Sequence, residues 1–368
     1  MKLMLLPRRL TYLLTAGFIL SCSNAYAGLS GFTSANPYTR EELILDLQAA
    51  PKHIVNYRDQ MRNNIIMLSR YAKGRNADFE IMVHDGRDLM TKSLWEYHLD
   101  GYNEARKKGI DAADPSFLAK LKEMKPEEET VGTSAREYMK NIDAVVLNNY
   151  FCAADDFIPD SRIKLISIDQ CPTEEAFDEA IQDSVGQNAL MYGFVKPQYA
   201  FKDTGHQVII NENAVNINKI SNAQNILFLL DTSLYNDRFS YLQDIRNSNF
   251  DVIVISPFYK GKPLSPEEVH ILKFKKNGTM RRVIAAFNIS EADDGKYYWK
   301  KGWKIGSPSW LKRLSFSDKQ GIIVEYWNPE WQKIISDYFK GIVDSGFDGA
   351  FLTGLENHRY FEKQTPLE

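Results

Sequence analysis

Nine short, nearly continuous apolar runs lie at 79–83, 144–147, 164–168, 189–194, 226–230, 252–255, 283–289, 321–326 and 349–352. Runs without polar alternation are the mark of strands buried on both faces, and such strands belong to parallel sheets covered by helices. The intervening helix starts are well signalled. Asp114-Pro115, Ser265-Pro266 and Asn328-Pro329 each place a capping residue before a proline at the first helical position, and Ser265 with Glu268 fits a capping box. Helices are expected near 92–108, 173–185, 236–248, 265–276 and 328–345. Roughly eight strand–helix units predict an α/β fold of one domain, a (β/α)8 TIM barrel. Nine runs are one too many, and 189–194 is the one expected to be an edge or extra segment. A doubly wound open sheet is the alternative; against it, no glycine-rich phosphate loop follows any strand.

The barrel domain is assigned to 54–368, preceded by an N-terminal helical extension at 28–53 and a leader at 1–27. Lys2, Arg8 and Arg9 form a positive region, 10–20 an apolar run too short to span a bilayer, and Ala25-Tyr26-Ala27 a small-x-small cleavage site. The expected location is secreted or periplasmic, with a lipid anchor at Cys22 as the alternative and no transmembrane segment in the mature chain. Such a compartment permits Cys152 and Cys171 to pair, though two separate buried thiols fit equally well. The net charge of −3 offers no basic footprint for nucleic acid. Histidines and cysteines show no metal-ligand spacing, so neither metal nor cofactor is expected.

In a barrel of this kind the chemistry sits at the C-terminal strand ends. The run 283–289 leads directly into Glu291, Asp293, Asp294, Tyr297, Tyr298 and Trp299. Carboxylates can act on a glycosidic bond, and flat rings can stack on sugar faces. Other ends carry Asp85, Asn148, Asp231, Ser256 with Tyr259, Glu325 with Tyr326, and Thr353 with Glu356. Each has a plainer reading: Asp85 and Asp231 as helix caps, Glu325 as an ion-pair member, and the tryptophans as packing under a long loop.

Residues 250–361 resemble extracellular glycoside hydrolases related to endo-α-1,4-polygalactosaminidase, in or near glycoside hydrolase family 114. The resemblance rests on 250–255, 287–299, with Glu291 on the family's glutamate, 324–331 and 346–361. Segments 57–89 and 142–151 resemble parts that ordinarily follow those blocks, which implies a circularly permuted barrel. Ser256, Thr353 and Asn148-Asn149 stand where the family carries acids. An amide or hydroxyl keeps hydrogen bonding but cannot serve as base or nucleophile.

The resemblance implies hydrolysis of an α-linked, amino-sugar-containing polysaccharide or oligosaccharide. Glu291 is the expected acid/base, with Glu325 or Asp85 as partner. Asp231, Tyr259, Asn288, Trp299, Tyr326 and Glu356 are the expected sugar-binding residues. The missing acids motivate an alternative, a non-catalytic carbohydrate-binding barrel derived from such an enzyme.

Overall fold

The computed structural model describes residues 54–112, 114–125, 131–195, 209–315 and 321–367. The leader, Cys22 and the 28–53 extension lie outside the described residues. Eight parallel strands form one sheet: β1 (Glu80–His84), β2 (Ala144–Asn148), β3 (Lys164–Cys171), β4 (Leu190–Val195), β5 (Ile226–Leu229), β6 (Val252–Ile255), β7 (Arg282–Asn288) and β8 (Gly349–Thr353). Their spatial order is β4-β3-β2-β1-β8-β7-β6-β5, so chain order is kept around the ring and β8 pairs with β1. The result is a nearly closed, TIM-like parallel barrel.

The two sheet edges, β4 and β5, face each other. Tyr192 Oη donates to the Phe228 carbonyl at 3.2 Å across this seam, and the two rings pack at 5.4 Å. Tyr192→Phe is expected to lower stability by about 1 kcal/mol in urea unfolding, because a buried carbonyl then loses a donor. An unchanged midpoint would show that ring packing alone holds the seam.

Inside the barrel, Tyr192, Phe228, Phe351 and His84 meet ring to ring, with steps of 5.4, 5.5 and 6.0 Å. Residues in register share a face, and the face repeats every second residue. Asn148, paired with Ile168, and Asn288, paired with Thr353, therefore end the interior columns at the C-terminal mouth. The opposite end is closed by Arg282, whose Nε donates to Glu80 at 3.0 Å. Burial pushes the Glu80 carboxyl up to about 7 against the pull of Arg282.

The run 189–194 is a barrel strand, β4, and lies at one edge of the sheet, as expected. The run 321–326 is not a barrel strand: Gly321–Val324 pairs antiparallel with Glu291–Asp293 and Leu311–Leu314 in a separate three-stranded sheet inserted after β7. Ile322, Ile323 and Val324 are buried there, and a short apolar run reports burial without reporting which strand it pairs with.

The capping signals act as read. Ser265 and Glu268 form a reciprocal box, while Asp114 and Asn328 accept first-turn N–H groups. A helix at Tyr57–Arg75, here α1, precedes β1 and packs against Thr133–Lys140 and Pro329–Asp344. It occupies the place in the outer ring that a helix after β8 would fill in the usual barrel order. After β8 the described chain has only a 3-10 turn and the five-residue helix His358–Glu362. The two ends are tied by a buried ion pair, Arg58 Nε to Glu362 Oε1 at 2.8 Å. No helix among the described residues is long and apolar enough to cross a membrane.

Candidate functional site

Carboxylates converge at the ends of β1, β7 and β8. Glu291 begins the inserted sheet and is 7% exposed. Its Oε1 accepts from Ser315 Oγ at 2.7 Å and Asn357 Nδ2 at 3.0 Å, and its Oε2 from Asn288 Nδ2 at 2.9 Å. Asn288 Oδ1 in turn accepts the N–H groups of Ser290 and Glu291, both at 3.0 Å, which fixes the amide so that its NH2 faces the carboxylate. A Cβ at Gly321 would stand 2.7 Å from Glu291 Oε2, so a side chain there would displace the carboxyl group. Gly354 turns the chain after β8 with φ +84°. Its carbonyl accepts from Ser290 Oγ at 2.6 Å, and a Cβ would come within 2.5 Å of both Asn288 Oδ1 and Ser290 Oγ.

Glu356, in the turn that follows, is partly buried, and no donor reaches its Oε2 in hydrogen-bonding geometry. Burial pushes its carboxyl up to about 8, with the charges of Glu291 and Asp85 adding to the effect. Asp85 directly follows β1 with φ 55°, a left-handed conformation uncommon for a side-chain-bearing residue. Arg87 Nε lies 3.3 Å from one of its oxygens and Arg359 Nη2 3.6 Å from the other. Both arginines have second partners: Arg87 reaches Asp155 at 2.6 Å and Arg359 reaches Asp88 at 2.9 Å. Burial opposes charge on Asp88, yet His358, Arg359 and Arg58 together hold its carboxyl well below the usual range. Below the carboxylates, burial holds His84 down toward its neutral form, against the charge of Asp85 and the Asn148 side-chain oxygen that would accept from the imidazole.

Of the expected site residues, Asp85, Asn288, Glu291 and Glu356 share this cluster. Five are engaged in other contacts. Glu325 follows a strand of the inserted sheet and pairs with Lys312 at 2.6 Å. Tyr326 is fully buried, its hydroxyl donating to the Tyr57 carbonyl at 2.8 Å. Asp231 caps the turn Thr232–Leu234 by accepting Ser233 N–H at 2.8 Å. Tyr259 is buried, with its hydroxyl on the Tyr235 carbonyl at 3.1 Å. Trp299 begins an edge-on series with Trp303 and Trp310, which packs on Trp331 beneath the insert. These five fit the plainer readings of capping, ion pairing and packing.

Sequence reasoning left out Ser315, Asn357, Arg87 and Arg359 as site residues. Asn357 and Arg359 were within reach, since Asn357 directly follows Glu356 and Arg359 comes three residues after it. Ser315 carried no signal: it is 24 positions from Glu291 and arrives through antiparallel pairing of the insert.

No protein-family profile matches the chain. It is similar to an uncharacterized protein of Methanocaldococcus jannaschii, 37% identical over 153 residues, covering 41% of this chain and 42% of that protein. An uncharacterized protein of Thermotoga maritima is 30% identical over 124 residues, 33% of this chain and 37% of its own length. One from Deinococcus radiodurans is 31% identical over 119 residues, 32% of this chain and 37% of its own length. The match thus spans less than half the length of these curated relatives.

Proposed function

We propose that the protein is a glycoside hydrolase acting on an α-linked, amino-sugar-containing polysaccharide outside the cytoplasm. One observation carries the reading: Glu356, raised to about 8, sits beside Glu291 and Asp85 at the C-terminal mouth of a parallel barrel. Carboxyl groups whose environments push their protonation apart are the equipment for splitting a glycosidic bond. Glu356, protonated near neutrality, donates its proton to the leaving oxygen. Asp85, flanked by the Arg87 and Arg359 guanidinium groups, is the partner carboxyl group on the sugar. Glu291 adds to burial in keeping Glu356 protonated, and is held in place by Asn288, Asn357 and Ser315. The resemblance of 250–361 to the polygalactosaminidase group supports the substrate class.

A second reading, a carbohydrate-binding barrel without turnover, is favoured by Asn148, Ser256 and Thr353, which give the mouth amides and hydroxyls in place of acids. Reducing-end release from galactosamine-containing polymers separates the two. The hydrolase reading expects release by the wild type, with activity declining as pH rises past about 8, where Glu356 loses its proton. Glu291→Gln is expected to move that decline to lower pH, because a neighbouring negative charge is gone. Polymer binding without release would establish the second reading.

A further inference from the structure

Outside the barrel, the structure places a disulfide, Cys152–Cys171, beside a buried carboxyl that the proposed hydrolysis does not use. The cysteines have Cα atoms 5.3 Å apart. Cys171 ends β3 and is 1% exposed, whereas Cys152, in the loop after β2, is partly exposed. Asp169 lies two residues before Cys171, so both side chains leave β3 on the same face, toward the helix Glu174–Gly186. Asp169 is fully buried. Its Oδ1 accepts the N–H groups of Phe151 at 3.0 Å and Cys152 at 2.9 Å. Ser167 is its polar neighbour on that face, but no donor reaches Oδ2 in hydrogen-bonding geometry.

We infer that Cys152–Cys171 is a thiol–disulfide exchange site for a dithiol reductant, with Asp169 as the proton donor to the buried sulfur. Exposure sets the order of events. A thiolate of the reductant attacks Cys152 Sγ, the accessible sulfur. The new mixed disulfide forms as the Sγ–Sγ bond breaks, and the electron pair leaves on Cys171 Sγ. A thiolate there would be an unpaired charge in an apolar surround of Ala180, Met191 and Phe177. The Asp169 carboxyl supplies the missing proton and is reprotonated from solvent. Attack by the second thiol on the reductant's own sulfur in the mixed disulfide then closes the reductant's disulfide and frees Cys152, which takes a proton from solvent. Two electrons pass from the dithiol to the protein, and two thiols result. Burial pushes the Asp169 carboxyl up, against the N–H of Cys152, the Ser167 hydroxyl and the N–H of Phe151, which brings its proton affinity closer to that of a thiol.

The exchange bears on the mouth through the loop it pins. Residues 149–155 run from Asn149, in a left-handed conformation with φ 52°, to Asp155, which holds Arg87 at 2.6 Å. Opening the disulfide releases the covalent hold on that arm.

The test titrates the full chain with dithiothreitol without denaturant, traps thiols by alkylation, reads them by mass, and follows the fold by far-ultraviolet circular dichroism. Two thiols are expected to appear while the spectrum stays native, with Asp169→Asn reacting roughly tenfold more slowly. A disulfide that opens only together with unfolding overturns the inference, as does an Asp169→Asn variant that reacts at the wild-type rate. Should Asp169→Asn fail to fold, Cys171→Ala serves instead. Its thiol at Cys152, told apart from Cys22 by peptide mapping, is expected to alkylate in the native protein, and protection there would equally overturn the order of attack.

Discussion

Glu356→Gln is expected to abolish polymer cleavage and to raise the melting temperature at alkaline pH. Loss of a positioned proton donor removes roughly 10²- to 10⁴-fold in rate. The stability effect follows from the direction of the shift. The folded carboxyl titrates at about 8 and its unfolded reference at 4.5, so the folded state binds the proton more tightly. The stability associated with the protonated form is fully present below the unfolded value and is lost as pH rises through about 8. Glutamine mimics the neutral acid at every pH. The variant should match wild type near pH 4 and exceed it near pH 9 by on the order of 2 kcal/mol, after allowing for the partial exposure of the side chain. In a chain of this size that corresponds to a rise of several degrees. Melting curves at the two pH values and one activity assay provide the check. An equal temperature shift at both pH values would sever the link between Glu356 and the pH dependence.

Gly354→Ala is expected to be the most damaging change at the site that leaves every charge intact. The position has φ +84°, which costs a residue with a side chain about 1–2 kcal/mol. The new methyl would also stand 2.5 Å from Asn288 Oδ1 and from Ser290 Oγ. Asn288 must move, and with it the NH2 group that binds Glu291 Oε2. A total loss of about 3 kcal/mol combines the backbone cost with that of a broken hydrogen bond to a charged group. Gly346→Ala is the control, because its φ is +80° and nothing lies within 4 Å of the added carbon. It should incur the backbone cost alone. Urea unfolding of the two variants isolates the contact, and equal losses would mean that Asn288 and Ser290 adapt freely.

Much of the barrel was legible from its apolar runs, because continuous burial leaves an unmistakable composition in 144–147 or 252–255. Direction of pairing leaves none. Gly321–Val324 has the same composition as a barrel strand, yet pairs antiparallel within the insert. That single ambiguity carried Glu325 and Tyr326 into the expected site. Asp85, Asn288, Glu291 and Glu356 were legible because each lies at or just after a barrel strand end, where convergence follows from geometry. The electrostatic ranking among them was not legible. Glu356 stands out through burial and through its neighbours Glu291 and Asp85, which come from two other strand ends. Trp299 and Tyr259 are chemically suited to sugar; in the structure Trp299 packs edge-on to Trp303, and the Tyr259 hydroxyl, in the loop after β6, bonds the Tyr235 carbonyl.

The placement of α1 ahead of β1 has a consequence for the order in which the molecule can assemble. The first described helix completes its surroundings only with segments far along the sequence: Arg58 needs Glu362, 304 positions away, and Tyr326 Oη reaches back 269 positions to the Tyr57 carbonyl. Pairing of β1 with β8 has the same long reach. Contacts of such separation form late and slowly, since a long loop must close before they yield any gain. A chain emerging from the ribosome can cover one side of α1 early, with Thr133–Lys140, but its contacts with Tyr326, Pro329–Asp344 and Glu362 wait until those segments are made. Over that interval the apolar residues of α1 are incompletely covered, a condition that chaperones relieve.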